Sequence, residues 1–449
     1  MNDFHEIREE IERLKADYIH SLDELIKIKS VIDEDDSPFP FGSGINEALR
    51  TALAICERLG FRTYYDPAGY YGYAEVGNGQ EMVGILGHLD VVPAGRIEEW
   101  SYPPFQATIQ NGSMYGRGTQ DDKGPILATV FAVKALMNLH KPFQKRIRII
   151  FGTDEETLWR CMQRYREQEE WPTMGFTPDA IFPLVYAEKG LLQFLLKGRN
   201  QTSLRMNGGD AFNAVPSSIH YRGEKQKELE EKLRELGFAY VPQAAGLTIL
   251  GKPAHAQVPE EGINAITRLC IALYEIDVHS SVIDFVYEKV STDVYASAIF
   301  GDVQDEVSGP LKFNIGKISL QDEEVLSVDM RIPVTADKSE LVNRLREVIK
   351  PYQLEYEEVD FLDSIYVPTD SPLIQTLMKV YQESTGDKVS EPISSGGATY
   401  ARAIDNCVAF GAIFPDQEKV EHQPNEYIEL EKMFKAMEIY ALAIYELSK

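Results

Sequence analysis

Nowhere does this 449-residue chain carry an apolar run of the roughly 18 residues that a membrane-spanning helix needs. The opening stretch MNDFHEIREEIERLKADYIHSLDELIKI also lacks the apolar core of a secretory signal, so a cytoplasmic protein is the expectation. Cysteine is scarce: Cys56, Cys161, Cys270 and Cys407 stand far apart, with no C-x-x-C pair. Neither a cysteine zinc site nor a disulfide framework is indicated, and buried thiols are the simplest reading. Basic residues are outnumbered, 45 against 71 acidic, for a formal net charge of −26. Such an acidic surface disfavours nucleic acid and anionic membrane as partners and leaves room for a cation site. Internal repeats and low-complexity tracts are missing too.

What is present suits two or three domains, with 44% hydrophobic residues to fill their cores. Ile7, Ile11, Leu14, Tyr18, Leu22 and Leu25 recur at helical spacing with charges between them. A second helix runs through INEALRTALAICERLG and stops at Gly60, and a third through GPILATVFAVKALMNL. Between and after them lie the strand-like stretches YYGYAEVG, EMVGILGHLD, KRIRIIFGTDEE and PDAIFPLVYAEKG. This alternation predicts an α/β layered domain, with ligands beyond the carboxyl ends of its parallel strands. Near residue 190 the texture changes to several strands and helices at 223–236, 261–275 and 338–349. The tail resumes the first pattern with the strand-like CVAFGAIFP and a helix from about Ile428. The most economical architecture is a catalytic α/β domain, residues 1–190 and 363–449, interrupted by an inserted α+β lid, residues 191–362.

Titratable groups gather at the predicted strand ends. GHLDVVPAG places His88 and Asp90 on one side of an extended chain. GRGTQDDKGP carries Asp121 and Asp122, GTDEET carries Glu155 and Glu156, and TPDAIFPLVYAEKG carries Asp179 and Glu188. VEHQPNEYI adds His422. Each alone has a plain alternative: a polar strand end, a solvated turn, an acidic helix start or a cap. Together, two histidines and several carboxylates in one domain match a site for two divalent metals, each keeping a position open for water and substrate.

GHLDVVPAG, GRGTQDDKG, GTDEE, GKPAHAQVPEEGINA and EHQPNEYI, in this order, resemble the M20 family of co-catalytic metallopeptidases. The resemblance spans nearly the whole chain. PFGSGINEAL, TQDDKGP and SSGGATYARA are most similar to its PepV-like branch, bacterial cytoplasmic dipeptidases. The resemblance implies a co-catalytic metal site in the α/β domain. His88, Asp121, Glu156, Asp179 and His422 would be the ligands, with Asp121 bridging. Glu188 is the alternative to Asp179. Asp90 would orient His88, Glu155 would be the general base, and His255 of the lid would meet the tetrahedral oxygen. Asn213, Arg331 and Arg402 would contact substrate, the arginine fork of Arg331 suiting the free carboxylate of a short peptide. The implied activity is hydrolysis of dipeptides with a free amino terminus by a metal-bound water. N-acyl amino acid deacylase, desuccinylase and carboxypeptidase activities of the same family are alternatives. A non-catalytic binding protein keeping the fold is another. Zinc is the family's usual metal, and this ligand set also tolerates manganese or cobalt. The expected partner is a short peptide substrate. A monomer is expected, with a homodimer through the lid as the alternative.

Overall fold

The periodic apolar positions become buried faces. In the computed structural model, which describes residues 2–35 and 37–449, the first helix spans Asn2–Ile26. Its six predicted core residues, Ile7 through Leu25, are all buried. Burying each such aliphatic side chain contributes roughly 1.5–3 kcal/mol. The helix packs with Lys123–Asn138 and Leu430–Leu447. Tyr18 joins the three, its ring edge-on to Phe131 and Phe434 and its hydroxyl donating to the Gly124 carbonyl at 3.1 Å. The helix Ser43–Leu59 ends on Gly60, whose φ of 95° is the left-handed cap that glycine accepts without strain.

The chain divides into two compact units, 1–186 with 367–393 and 399–449, and 187–366 with 394–398. The first is an α/β unit around a mixed sheet. Its strands lie in the order Arg62–Tyr65, Gly72–Val76, Arg146–Gly152, Met82–His88, Met174–Thr177, Cys407–Ala409. The last four, from Arg146–Gly152 to Cys407–Ala409, are parallel. Met82–His88 is buried along its whole length, as a central parallel strand requires, and His88 lies level with Gly152. The carboxyl ends of adjacent parallel strands therefore deliver His88, the Glu155–Glu156 turn and Asp179 to one side of the sheet.

Two expected strands are broken. PDAIFPLVYAEKG forms Ala180–Ile181 and Val185–Glu188, separated at Pro183, which has no N–H to give to a ladder. CVAFGAIFP forms Cys407–Ala409 and Ala412–Ile413, separated at Gly411, whose φ is 70°.

The second unit is an antiparallel sheet with helices. Strands Met206–Gly208, Lys312–Leu320, Glu323–Ile332, Gly190–Arg199 and Glu355–Leu362 lie side by side in that order. Along Gly190–Arg199, Leu192, Phe194 and Leu196 are fully buried while the residues between them are not, the alternation of a sheet with one face in the core. The helices are Gln226–Glu235, Ala265–Tyr274 and Lys338–Ile349, with short turns at Ser281–Phe285 and Ser297–Phe300 that show no sequence periodicity. Among the described residues no helix is long and apolar enough to cross a membrane.

All four cysteines are buried thiols. Burial pushes the Cys161 and Cys270 thiols up to about 12, and raises Cys56 as well. A chromogenic disulfide reagent at neutral pH is therefore expected to label none of the four in the native protein and all four after unfolding in guanidinium. Rapid native labelling of any of them would contradict the burial.

Candidate metal centre

Asp121 is the hub. Its Oδ1 lies 2.8 Å from His88 Nε2 and its Oδ2 lies 3.0 Å from His422 Nε2. His422 Nε2 also lies 3.1 Å from Glu156 Oε2, and His88 Nε2 lies 3.7 Å from Asp179 Oδ2. Donor atoms fall into two close groups that share His88: His88, Glu155 and Asp179, and His88, Asp121 and Glu156. The second histidine reaches Asp121 and Glu156 from the loop before Tyr427–Glu429, with its own main chain left-handed at φ 63°.

The tautomer of His88 is fixed by geometry. Its Nδ1 lies 2.8 Å from the Asp90 main-chain oxygen, which can only accept, so Nδ1 carries the proton. The Asp90 carboxylate is farther off, at 3.6 Å; its Oδ2 instead accepts the Glu156 N–H at 3.0 Å. Asp90 thus holds both His88 and the Glu155–Glu156 turn. A neutral His88 then turns a lone pair toward a carboxylate oxygen, two acceptors face to face, which only a proton or a metal cation between them relieves. His422 Nε2 faces two carboxylates in the same manner.

The charges tell the same story. Asp90, Asp121, Asp122, Glu155, Glu156 and Asp179 crowd around two imidazoles. Burial raises the carboxyls of Asp122, Glu155 and Asp179 well above the usual range, with nearby carboxylates pushing the same way. Burial would raise Asp121 too, but its bonds with His422 and His88 outweigh that and hold it far below. Burial alone would lower His422, yet the Asp121 and Glu156 carboxylates push it up to about 11. Buried Oδ1 atoms of Asp90 and Asp122 have no hydrogen-bond partner. A donor set of imidazole nitrogens and excess buried carboxylate oxygens, in two groups joined by a shared residue, fits a pair of divalent cations and does not fit a closed structural zinc site.

Sequence motifs gave no role to the groups that hold these loops. Asp122 Oδ2 accepts the His88 N–H at 3.1 Å, and a Cβ on Gly87 would fall 2.4 Å from that oxygen. Lys123, fully buried, donates from Nζ to the carbonyls of Leu25 at 3.0 Å and Ile28 at 2.9 Å. Burial lowers its pKa to about 7. Glu426 is buried outright and pairs with Arg117. It lies four residues after His422 in EHQPNEYI, and such spacing says nothing of burial.

Two of the predicted substrate contacts, Asn213 and Arg331, and the expected oxyanion residue His255 belong to the second unit. An isolated bridge pairs Ala214 with His255, and the Ala256 N–H donates to the Asn213 carbonyl at 2.8 Å, so the Asn213 and His255 loops run together. His255 Nδ1 accepts the Gln257 N–H at 3.2 Å, which leaves the proton on Nε2. Arg331 is buried and already engaged: Nε and Nη2 pair with Asp329 at 2.6 and 3.0 Å, and Nη1 donates to the Gly396 carbonyl at 2.8 Å. Two of its five N–H groups remain for another acceptor. Arg402 lies half-buried on the turn Tyr400–Ala403 of the first unit, and Glu188 in the strand Val185–Glu188, outside both donor groups.

Residues 84–446 match the family described as Peptidase family M20/M25/M40. The chain is 36% identical to "Putative dipeptidase YtjP" of Bacillus subtilis, over 98% of this chain and 99% of that one. It is 34% identical to "Putative dipeptidase SH1171" of Staphylococcus haemolyticus, with the same coverage. Among solved structures, the fold is similar to the di-peptidase Dug1p of Saccharomyces cerevisiae, with a TM-score of 0.64 and 15% identity over 99% of this chain and 98% of that one. It is also similar to the M20 metallo-carboxypeptidase Sso-CP2 of Sulfolobus solfataricus, with a TM-score of 0.61 and 18% identity over 96% and 99%. The parallel strand ends, the paired donor groups and a family match over most of its length converge, and the chain belongs to the M20 family of metal-dependent hydrolases, whose substrates are small peptides and amino-acid derivatives.

Proposed function

We propose that the chain is a dipeptidase of the PepV-like branch, cleaving dipeptides that carry a free amino terminus. The observation that carries a two-metal reaction is Asp121, one oxygen toward each histidine. The dipeptide preference draws on full-length similarity to two chains named as putative dipeptidases. In this reading His88, Asp121 and Asp179 would hold one ion, and Asp121, Glu156 and His422 the other. Zinc, manganese and cobalt all suit these donors. Bound there, two such ions supply a water of lowered pKa and a Lewis acid for the scissile carbonyl.

The chain's own groups do the rest. Glu155 shares the pocket of His88 and Asp179. Its carboxylate takes a proton from the attacking water and later hands it to the leaving amine. His255, protonated on Nε2, and the Asn213 amide are donors for the tetrahedral oxygen. The two remaining N–H groups of Arg331 receive the substrate's carboxylate, with Arg402 a further contact. Asp179 faces the free ammonium. Recognition at both ends sets a two-residue length.

Removing metal with a chelator is expected to abolish activity, and zinc, manganese or cobalt to restore it. Anomalous scattering should then show two ions about 3.5–4 Å apart at these residues. One ion, or a site formed by Glu188, would refute the assignment. Glu155→Gln should lower kcat by about 10²–10⁴ with both ions still bound; near-normal turnover in the loaded variant would exclude Glu155 as the base. For substrate length, kcat/KM for dipeptides should exceed that for tripeptides, N-acetyl and N-succinyl amino acids. Arg331→Lys retains the charge beside Asp329 but loses the planar fork. It should raise KM for dipeptides and leave KM for dipeptide carboxamides unchanged. An equal effect on both would remove Arg331 from carboxylate recognition.

A further inference from the structure

The loops bearing Asp121 and His422 are tied to each other by two side chains pointing in opposite directions. From the second loop, Glu426 Oε1 accepts three main-chain N–H groups of the first: Gly118 at 3.0 Å, Gln120 at 2.8 Å and Asp121 itself at 3.2 Å. Its Oε2 accepts Arg117 Nη1 at 2.7 Å. From the first loop, Gln120 returns the contact. Its Oε1 accepts the N–H groups of Val420 at 2.8 Å and Glu421 at 3.1 Å, and its Nε2 donates to the Glu418 carbonyl at 3.1 Å. Asn425 ties the same segment to the loop at 99–101, accepting the Ser101 N–H at 2.5 Å and donating to the Glu99 carbonyl at 3.0 Å.

A buried ion pair alone is a poor stabiliser, since desolvating both charges offsets most of their attraction. Glu426 and Arg117, 0% and 2% exposed in their side chains, are therefore costly to keep for stability only. Three amide donors converging on one carboxylate oxygen do something an apolar pair cannot. They fix the main chain of Asp121, the residue that stands between the two histidines, and they do so from the segment that carries His422.

We propose that Glu426 is a positioning residue for the metal site: with Gln120 it forms a reciprocal clamp that sets Asp121 and His422 at metal-binding separation before any ion arrives. The inference rests on the two-metal reading, and it adds that the two loops are seated by one carboxylate that touches neither ion nor substrate. Removing the clamp then lowers metal affinity, not chemistry: kcat at saturating metal stays near wild type while the metal concentration needed for half activity rises.

The test titrates the metal-free full-length protein with Zn²⁺ and with Mn²⁺ against a chromophoric chelator. The wild-type chain serves as control, because binding of fewer than two ions there defeats the two-metal reading itself. The double variant Glu426→Gln with Arg117→Met removes both buried charges at similar volume, a change that leaves folding near neutral. Its metal-free unfolding midpoint should match wild type while its metal affinity falls by about 10–100-fold. Glu426→Asp keeps the charge beside Arg117 but is one methylene shorter, and it should show the same loss with excess metal restoring activity. A folded variant of either kind with wild-type affinity overturns the proposal. Failure of both variants to fold without metal also overturns it, since Glu426 would then serve the fold alone.

Discussion

Too much negative charge in too small a volume is the constraint around which the first unit is organised. Six carboxylates and two imidazoles meet beyond the ends of parallel strands, where burial has already raised three of the carboxyls well above their ordinary range. Among the described residues no lysine or arginine side chain is paired with any of the six. The nearby basic groups are committed elsewhere, Arg117 to Glu426 and Lys123 to two carbonyls of the amino-terminal segment. The two donor groups are placed to meet cations from solution.

The surrounding structure keeps this strained arrangement in place by main-chain contacts more than by side-chain pairs. Asp90 holds His88 through its carbonyl and the Glu155–Glu156 turn through its carboxylate. Asp122 takes the His88 N–H, and glycine at position 87 leaves room for it. His88 and the Glu155–Glu156 turn are thus held through atoms other than those that would meet a metal.

Local periodicity made much of the fold legible. The helix expected at 338–349 is Lys338–Ile349, and the amphipathic spacing of the first helix marks the residues that are buried in it. Pro183 and Gly411 interrupt strands that an apolar run alone makes continuous, and the short turns of the second unit have too few residues for a period to show. His88, Asp121, Glu155, Glu156 and Asp179 were legible as a group because polar, titratable residues at the ends of apolar strands are out of place there. Gln120, Arg117 and Glu426 were not. Their meaning lies in contacts between segments some 300 positions apart, such as the Gln120–Val420 bond at |i−j| of 300, and no local spacing encodes that. The main-chain role of Asp90 was hidden for a related reason, since sequence shows side chains and not where a carbonyl points.

The insertion also sets an order of assembly. His88, Asp121, Glu155, Glu156 and Asp179 precede the second unit along the chain, whereas His422 and Glu426 follow it. On a ribosome the carboxylates emerge first and wait, mutually repelling, without the imidazole and the clamp that seat them. The second unit's principal sheet draws all its strands from residues 190–362, so it can close while the first unit is still incomplete. The guest is thereby free to fold before its host, and the host's candidate metal centre can be completed only after His422 has been made.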